Sequence, residues 1–535
     1  MGIADFALFG VLMSALIVDA TRSMPFAYRN RFRRQCSQTL YPSLCVQSLQ
    51  EFGYGARGFE LVSLIVNKTI SDSEKLTLSS QLVSLEDSEY TSLLSVSDSC
   101  GRFMKMSTKR LNQAMEALNE LPSSRKRRRS IKDDVTTWLS AAMTFQQACK
   151  DSASSGDISG EASAAMISRI AQMMDHLSRH VSNSLALVDR VKVKSRKRSK
   201  STVFPRWVST GERRLLGAPT SRGRVHAVVA KDGSGDFRTV ADAIAAAPRE
   251  GRIVIYVKAG IYKEKVNIER DDVTLIGDGK DRTVFVGGDS VAGGASMPDS
   301  ATFTVTGDGF IGRDIGFKNT AGPMGQQAIA LSIASDRSVL YRCSISGYQD
   351  TLYTVALRQF YRECDIYGTV DFIFGNAAAI FQHCNLILGR PYDTRAYNVI
   401  MANGRTDPKQ NTGFSLQNCK ITTDSQFSPV KRRYSSYLGR PWKAYSRCIV
   451  METYIDEAIS GEGWVKWLNS GSDDEGTLYF GEYKNYGGGA GLSERVKWRG
   501  FHVMRFEDAM EFSVGEFIDG DSWLPNTGIS FTPRI

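Results

Sequence analysis

The segment Tyr341-Arg342-Cys343-Ser344-Ile345 recurs with changes as Tyr361-Arg362-Glu363-Cys364-Asp365-Ile366 and as Phe381-Gln382-His383-Cys384-Asn385-Leu386. The cysteines of the three copies lie 21 and 20 residues apart, and a looser copy surrounds Cys419. Short β-rich repeats of this length are typical of a solenoid whose coils stack as parallel strands. Neighbouring strands in such a stack lie about 4.8 Å apart. The repeat therefore predicts that residues one period apart become spatial neighbours.

Two aspartates are separated by the same period. Asp350 lies in Gln349-Asp350-Thr351-Leu352-Tyr353, and Asp371 opens Asp371-Phe372-Ile373-Phe374-Gly375-Asn376, 21 residues later. Stacking should place both carboxylates in one groove, where like charges cannot both ionise cheaply. We therefore expect one pKa to rise and the other to stay low, so that one carboxyl group donates a proton while the other attacks a carbonyl.

Amide, guanidinium and aromatic side chains should join this groove. Gln327 lies 22 residues before Gln349, and amide N–H groups are suitable donors for a developing oxyanion. In Leu438-Gly439-Arg440-Pro441-Trp442, Arg440 is suited to hold one aspartate ionised and Trp442 to stack on a sugar ring. Taken singly, such residues usually satisfy turn backbone or pack. Their shared spacing is what favours a site.

The succession of short β-rich runs from His226 onward predicts the fold of this part of the chain. Short β-rich runs such as Ile253-Val254-Ile255-Tyr256-Val257 follow one another, punctuated by Gly, Asn and Asp, without regular helical segments between them. This pattern favours a right-handed parallel β-helix over an alternating βαβ fold. The glycines of Lys231-Asp232-Gly233-Ser234-Gly235-Asp236 indicate turns, because the Lys-Ser/Thr of a phosphate-binding loop is missing.

Residues 30–190 are predicted to be all α-helical, like a four-helix bundle. An apolar stripe advances in steps of three and four, which places its members on one helix face; they are Ile167, Ile170, Met174, Leu177, Val181, Leu185 and Val188. His176 and His180 lie four apart, as a helical metal pair would. Because acidic or thiol ligands are not patterned around them, we predict a packed or solvated role and no metal.

Composition favours an exported protein with a polyanionic partner. Nine cysteines without a CxxC pair favour disulfides in an oxidising compartment, and the odd number leaves at least one unpaired. The net charge of +10 suits an acidic polysaccharide or nucleic acid, and export favours the polysaccharide. Asn67-Lys68-Thr69 is an acceptor for N-glycosylation.

The N-terminus and the centre of the chain carry targeting and processing features. Residues 1–23, with the apolar run Phe6 to Val18, are predicted to be a secretory signal peptide, with a signal anchor as the alternative. Basic runs at Arg125 to Arg129 and Lys192 to Lys200 suit processing proteases. Nucleic-acid binding is disfavoured, since aromatic residues are not interleaved. Residues 191–221 are predicted to be a basic linker.

Five segments resemble the signature segments of plant pectin methylesterases, in that family's order, and the similarity runs from about residue 222 to Pro525. They are Gly260-Ile261-Tyr262-Lys263-Glu264, Gln327-Ala328-Ile329-Ala330-Leu331, Gln349 to Tyr353, Asp371 to Asn376 and Leu438 to Trp442. The helical part resembles the pectin methylesterase inhibitor domain, through Cys36 to Cys45 and a second pair, Cys100 and Cys149. Arg213-Arg214-Leu215-Leu216 resembles the family's cleavage site for a subtilisin-like protease.

The resemblance implies a secreted enzyme of the cell wall or apoplast that needs no cofactor. Its catalytic domain, residues 222–535, would hydrolyse the methyl esters of homogalacturonan, with Asp371 as nucleophile and Asp350 as proton donor and acceptor. Gln349 and Gln327 would steady the oxyanion, while Arg440 and Trp442 would orient Asp371 and the sugar. The resemblance also implies a Cys364–Cys384 disulfide, two disulfides in the helical domain and a proteinaceous inhibitor as a possible partner.

Five positions depart from the family's usual residues, and their effect on substrate preference is left open; they are Met297, Ser332, Ala444, Cys448 and Arg499. Two alternative functions can be distinguished by their products. A β-helix glycosidase would produce new reducing ends and no methanol. A non-enzymatic inhibitor or pectin-binding protein would produce neither. Serine-esterase and metal-hydrolase chemistry are disfavoured, since a Gly-x-Ser-x-Gly elbow and a zinc-ligand pattern are missing from the sequence.

Overall fold

The computed structural model describes residues 26–52, 55–80, 90–120, 125–154, 161–191, 225–393, 396–467 and 475–535. The chain divides into two compact units between Arg196 and Lys197. The predicted signal peptide, most of the predicted linker, and Arg213 with Arg214 lie outside the described residues. Among the helices that are described, none is both long enough and apolar enough to cross a membrane.

The first unit is a helical bundle. Two short helices precede four long ones, and each long helix packs on two others, α3 on α4, α4 on α5, α5 on α6 and α6 on α3. The helices are α1 (Phe26–Cys36), α2 (Pro42–Phe52), α3 (Phe59–Ser80), α4 (Tyr90–Asn119), α5 (Arg125–Ser154) and α6 (Glu161–Arg190). This arrangement is the predicted four-helix-bundle-like fold.

The apolar stripe of α6 forms part of this unit's core. Its members from Met174 to Val188 are buried, whereas Ile167 and Ile170 are only half-buried. Disulfides join Cys36 to Cys45 and Cys100 to Cys149, which are the two pairs expected for the helical domain. Asn67 is exposed on α3, and its glycosylation stays a prediction.

The second unit is the predicted right-handed parallel β-helix. Its strands form three sheets in which every pairing is parallel, and successive coils visit the sheets in turn. Sheet 1 contains β1 (Ala227–Val229), β2 (Ile253–Val257), β5 (Val273–Gly277), β8 (Ile311–Arg313), β11 (Ser338–Tyr341), β14 (Arg358–Arg362), β17 (Ala378–Gln382), β20 (Gly413–Gln417), β23 (Arg447–Met451), β25 (Tyr479–Tyr483) and β26 (Phe501–Val503).

The other two sheets complete each coil. Sheet 2 contains β4 (Val266–Ile268), β7 (Phe303–Val305), β10 (Leu331–Ile333), β13 (Leu352–Thr354), β16 (Ile373–Gly375), β19 (Asn398–Asn403) and β22 (Ser436–Pro441). Sheet 3 contains β3 (Gly260–Tyr262), β6 (Thr283–Gly287), β9 (Gly316–Asn319), β12 (Ser344–Ser346), β15 (Asp365–Gly368), β18 (Asn385–Leu388), β21 (Lys420–Thr423) and β24 (Tyr454–Ile455).

Short helices also occur in this unit, and the C-terminal ones shield one face of the solenoid. They are α7 (Val240–Ala245), α8 (Phe506–Met510), α9 (Val514–Phe517) and α10 (Gly520–Trp523). Val514, Ile518 and Trp523 pack on outward side chains of sheet 1 such as Val339 and Phe360. The outer face of sheet 1 is therefore buried, and the candidate site lies on sheet 2.

In the repeated coils, a single left-handed residue makes the sharp corner between sheets 1 and 3. Arg342, Glu363, His383 and Asn418 have φ values of 52°, 53°, 54° and 52°. This conformation costs roughly 1–2 kcal/mol for a residue with a Cβ. Hydrogen bonds to the next coil offset part of that cost, since the Arg342 amide donates to the Arg362 carbonyl at 2.9 Å. The corner conformation repeats because the sequence repeats.

The cysteines of the repeat follow these corners and are not bonded to one another. Cys364 and Cys384 are buried free thiols, so the expected Cys364–Cys384 disulfide is absent from the structure. Residues one coil apart in a parallel stack project their side chains in the same direction, whereas a disulfide needs Cβ atoms that converge. The Cys364 thiol instead donates to the Leu340 carbonyl at 3.4 Å, and the Cys384 thiol to the Tyr361 carbonyl at 3.5 Å.

We predict five free thiols in the oxidised protein, at Cys343, Cys364, Cys384, Cys419 and Cys448. Alkylation followed by peptide mass spectrometry should leave them unmodified in the native protein, because all five are buried, and modify them after denaturation without reductant. The disulfide-bonded Cys36 and Cys45 serve as the internal control, since they should react only after reduction. Recovery of a linked Cys364–Cys384 peptide would contradict this account.

Candidate active site

Asp350 and Asp371 lie at the same position of adjacent coils. Leu352 of β13 pairs in register with Ile373 of β16, and each aspartate precedes its strand by two residues. The Asp350 amide donates to the Val370 carbonyl at 3.0 Å, which fixes the register one step earlier. The two carboxyl groups therefore face the same side of sheet 2, as the 21-residue spacing predicts.

Both aspartates adopt the left-handed backbone conformation. Their φ values are 59° for Asp350 and 49° for Asp371, and both side chains are buried. Aspartate tolerates this conformation better than most residues, although it still stores strain. The turn directs each carboxyl group away from the apolar interior, where Leu352 and Ile373 pack.

Arg440 binds Asp371 through two parallel hydrogen bonds. Its Nε donates to Asp371 Oδ1 at 2.8 Å, and its Nη2 donates to Oδ2 at 2.5 Å. Two aromatic residues hold the guanidinium group in place, because its Nη1 donates to the Tyr397 hydroxyl at 3.1 Å and its Cζ lies 4.1 Å from the ring centre of Trp467. A bidentate pair of this kind fixes both the position and the charge of the carboxylate.

The two carboxyl groups differ in how strongly they hold a proton. Burial raises the pKa of Asp350 well above its usual value, and the neighbouring Asp371 raises it further. Burial also raises the pKa of Asp371, so the expectation that one pKa stays low is wrong in direction. Hydrogen bonds and charge from Arg440 oppose that rise at Asp371. Because the pKa of Asp350 rises more strongly, ionisation of Asp371 is favoured over ionisation of Asp350.

Gln327 and Gln349 lie beside the acidic pair. Their backbones form an isolated parallel bridge, and the Ala328 amide donates to the Gln349 carbonyl at 3.2 Å. Both side chains are half-buried. Two amides, two carboxyl groups and one guanidinium group thus come from four of five consecutive coils, and only the coil of β19 contributes none of them.

An aromatic surface continues from the acidic pair along sheet 2. Tyr353 and Phe374 occupy the outward position of consecutive strands and stack with ring centres 4.4 Å apart and an interplanar angle of 2°. Trp442 meets Phe374 edge-on with ring centres 6.0 Å apart. Tyr353 and Phe374 are buried, whereas Trp442 is half-buried, so Trp442 is the ring of this row that offers an apolar face on which a sugar can stack. Sequence reasoning identified Trp442 but missed Tyr353 and Phe374, although their own 21-residue spacing carries the same signal.

Tyr397 and Trp467 were also missed. Neither lies one repeat away from a predicted site residue, and only the folded chain shows that both contact Arg440. Among the departing positions, Ser332 pairs with Tyr353 in the outward row. Cys448 is buried in β23, and Ala444 and Arg499 are exposed.

Comparison with known proteins agrees with this geometry. Residues 226–521 match the family model for pectinesterase, and residues 31–187 match that for plant invertase/pectin methylesterase inhibitor. A probable pectinesterase/pectinesterase inhibitor 54 from Arabidopsis thaliana is 60% identical and covers 97% of both chains. Pectinesterase 2 from Citrus sinensis is 42% identical over 82% of this chain and 81% of its own.

A solved structure resembles the β-helical unit. The pectin methylesterase from carrot superposes with a TM-score of 0.58 at 44% identity, and the match covers 59% of this chain and all of the carrot chain. The sequence, the fold and the family matches lead to one conclusion. This chain belongs to the pectinesterase family of carboxylic ester hydrolases, and a helical domain of the inhibitor family precedes the β-helix in the sequence.

Proposed function

We propose that this protein hydrolyses the methyl esters of homogalacturonan through Asp371 as nucleophile and Asp350 as acid and base. The observation that carries the assignment is the asymmetry of the pair. Arg440 binds Asp371 through both carboxylate oxygens, whereas burial and the Asp371 charge disfavour ionisation of Asp350. The proposed site thus contains one carboxylate, at Asp371, and one carboxylic acid, at Asp350, on adjacent coils.

In the first half of the reaction, a carboxylate oxygen of Asp371 attacks the ester carbonyl carbon. The carbonyl oxygen becomes an oxyanion, to which the side-chain amides of Gln349 and Gln327 donate. When the tetrahedral intermediate collapses, the bond from carbon to the methoxy oxygen breaks. Asp350 gives its proton to that oxygen, and methanol leaves. The products of this half are an acyl-enzyme at Asp371 and the Asp350 carboxylate.

In the second half, water completes the cycle. Asp350, now ionised, takes one proton from water while the water oxygen attacks the acyl carbon. The bond to Asp371 breaks, which restores the Asp371 carboxylate beside Arg440. The galacturonate carboxylate departs and releases the acidic proton of the net reaction. Asp350 ends protonated, as it began.

The surroundings of the pair suit a polysaccharide. Tyr353, Phe374 and Trp442 provide a row of rings next to the carboxyl groups. The net charge of +10 favours approach to a polyanionic wall polymer. We further propose that the protein is secreted to the cell wall, that a subtilisin-like protease cleaves after Arg214, and that the helical unit restrains activity beforehand. Membership of the inhibitor family supports the last of these statements.

Asp371→Asn should lower kcat by about 10⁴-fold or more, because the nucleophile is lost, and Asp350→Asn by about 10²- to 10⁴-fold. The assay follows methanol and reducing ends released from methylated homogalacturonan by the β-helical unit, and methanol should appear without new reducing ends. Asp272→Asn is the matched control. Asp272 is also left-handed, with φ of 59°, but its partner is Arg252. A fully active Asp371→Asn enzyme would refute the assignment.

Arg440→Gln should move the acid limb of the pH profile of kcat/KM to higher pH. Asp371 must be ionised to attack, Arg440 lowers its pKa, and removing Arg440 therefore requires a higher pH for ionisation. Arg440→Lys should move the limb less, since it keeps a charge but loses the bidentate geometry. Rates measured across pH at low substrate concentration test this prediction. An acid limb unchanged in both variants would exclude Arg440 as the group that keeps Asp371 ionised.

A further inference from the structure

A second cluster of functional groups lies within the helical unit. Asp72 of α3 and His176 and His180 of α6 each offer one donor atom, and these atoms lie within 4.8 Å of one another. Asp72 Oδ2 is 3.4 Å from His176 Nε2 and 4.0 Å from His180 Nε2. The acidic partner comes from a helix about a hundred residues earlier, so no local pattern around the histidines could reveal it.

The environment of His180 fixes which of its nitrogens carries the proton. The ring is fully buried, and Nδ1 lies 3.4 Å from the Ser48 hydroxyl. That hydroxyl has a single hydrogen, which it donates to the Leu44 carbonyl at 2.9 Å. In this arrangement Ser48 Oγ accepts from His180, which favours the tautomer with the ring proton on Nδ1. Nε2 is left with a bare lone pair.

That lone pair is buried and points toward another acceptor. His180 Nε2 has no hydrogen-bond partner in the described part of the protein, although it is only 4.0 Å from the Asp72 carboxylate. Two acceptors that face each other without a shared proton form an arrangement that a cation between them would stabilise.

We propose that Asp72, His176 and His180 bind a divalent transition-metal ion of the zinc class. Zinc binds imidazole nitrogen and carboxylate oxygen at about 2.0–2.2 Å, so tetrahedral donors lie roughly 3.4 Å apart. One of the present separations already has this value, and the others are at most 4.8 Å. The hydrogen bond from His180 Nδ1–H to Ser48 is the kind of outer contact that orients a metal-bound imidazole.

Two lysines compete for the same carboxylate. Lys68 Nζ is 3.6 Å from Asp72 Oδ2, and Lys75 Nζ is 3.8 Å from Oδ1. The metal takes the place of Lys68 at Oδ2, while Lys75 can stay at Oδ1. His176 is 49% exposed, so the ion can enter from solvent and a water molecule can occupy the fourth position. The bound ion would link α3 to α6 and stabilise the bundle.

The test is zinc titration of the metal-free full-length protein, with binding followed by competition against a chromophoric chelator and with Co²⁺ as a spectroscopic probe. We expect one tight site per chain, tetrahedral Co²⁺ absorption, and a higher thermal unfolding midpoint for the helical signal when zinc is present. His176→Ala and Asp72→Asn should each weaken zinc affinity by about tenfold or more. Lys68→Ala should strengthen it, because the competing ammonium is gone.

His383→Ala is the control, since His383 is an exposed histidine of the β-helix and its loss should leave zinc affinity unchanged. The absence of stoichiometric binding, or equal affinity in the wild type and in both ligand variants, would overturn the proposal. Methanol release is not part of the readout, so the result is independent of the proposed esterase mechanism.

Discussion

In-register stacking of parallel coils is the constraint on which the site depends. A coil of about 21 residues closes on itself and places each position one strand spacing from its counterpart. Asp350 and Asp371 meet because Leu352 pairs with Ile373, and the amides of Gln327 and Gln349 meet through the same ladder. Ordering the site costs little additional conformational entropy, because the backbone hydrogen bonds that position its residues are the same ones that hold the solenoid together.

The proposed chemistry depends on how the ladder of parallel strands positions Asp350 and Asp371 relative to Arg440. Two carboxyl groups buried side by side cannot both lose their protons cheaply, and only one of them receives Arg440. Tyr397 and Trp467 fix the guanidinium group, so the preference for ionising Asp371 is built into packing rather than left to solvent. Burial supplies the proton donor, and one bidentate ion pair supplies the nucleophile.

The structural features that could be predicted from the sequence were those marked by a regular spacing or a local motif. The repeat around Cys343, Cys364 and Cys384 predicted the β-helix, and the spacing of Asp350, Asp371 and the two glutamines predicted the cleft. The resemblance implied a Cys364–Cys384 disulfide, whereas the structure has two free thiols there, because side chains one coil apart project in the same direction. Some contacts could not be predicted because they join segments without regular spacing. These are the contacts of Tyr397 and Trp467 with Arg440 and that of Asp72 with the His176–His180 pair.

The proposed mechanism requires that the charge of Asp371 raise the pKa of Asp350, and that pKa can be measured. Titration of the Asp350 carboxyl band by infrared difference spectroscopy compares the wild-type β-helical unit with the Asp371→Asn variant, using Asp350→Asn to assign the band. The Asp350 pKa should be raised in the wild type and should fall when the Asp371 charge is removed. An Asp350 pKa that is the same in both proteins would show that the two carboxyl groups are not coupled.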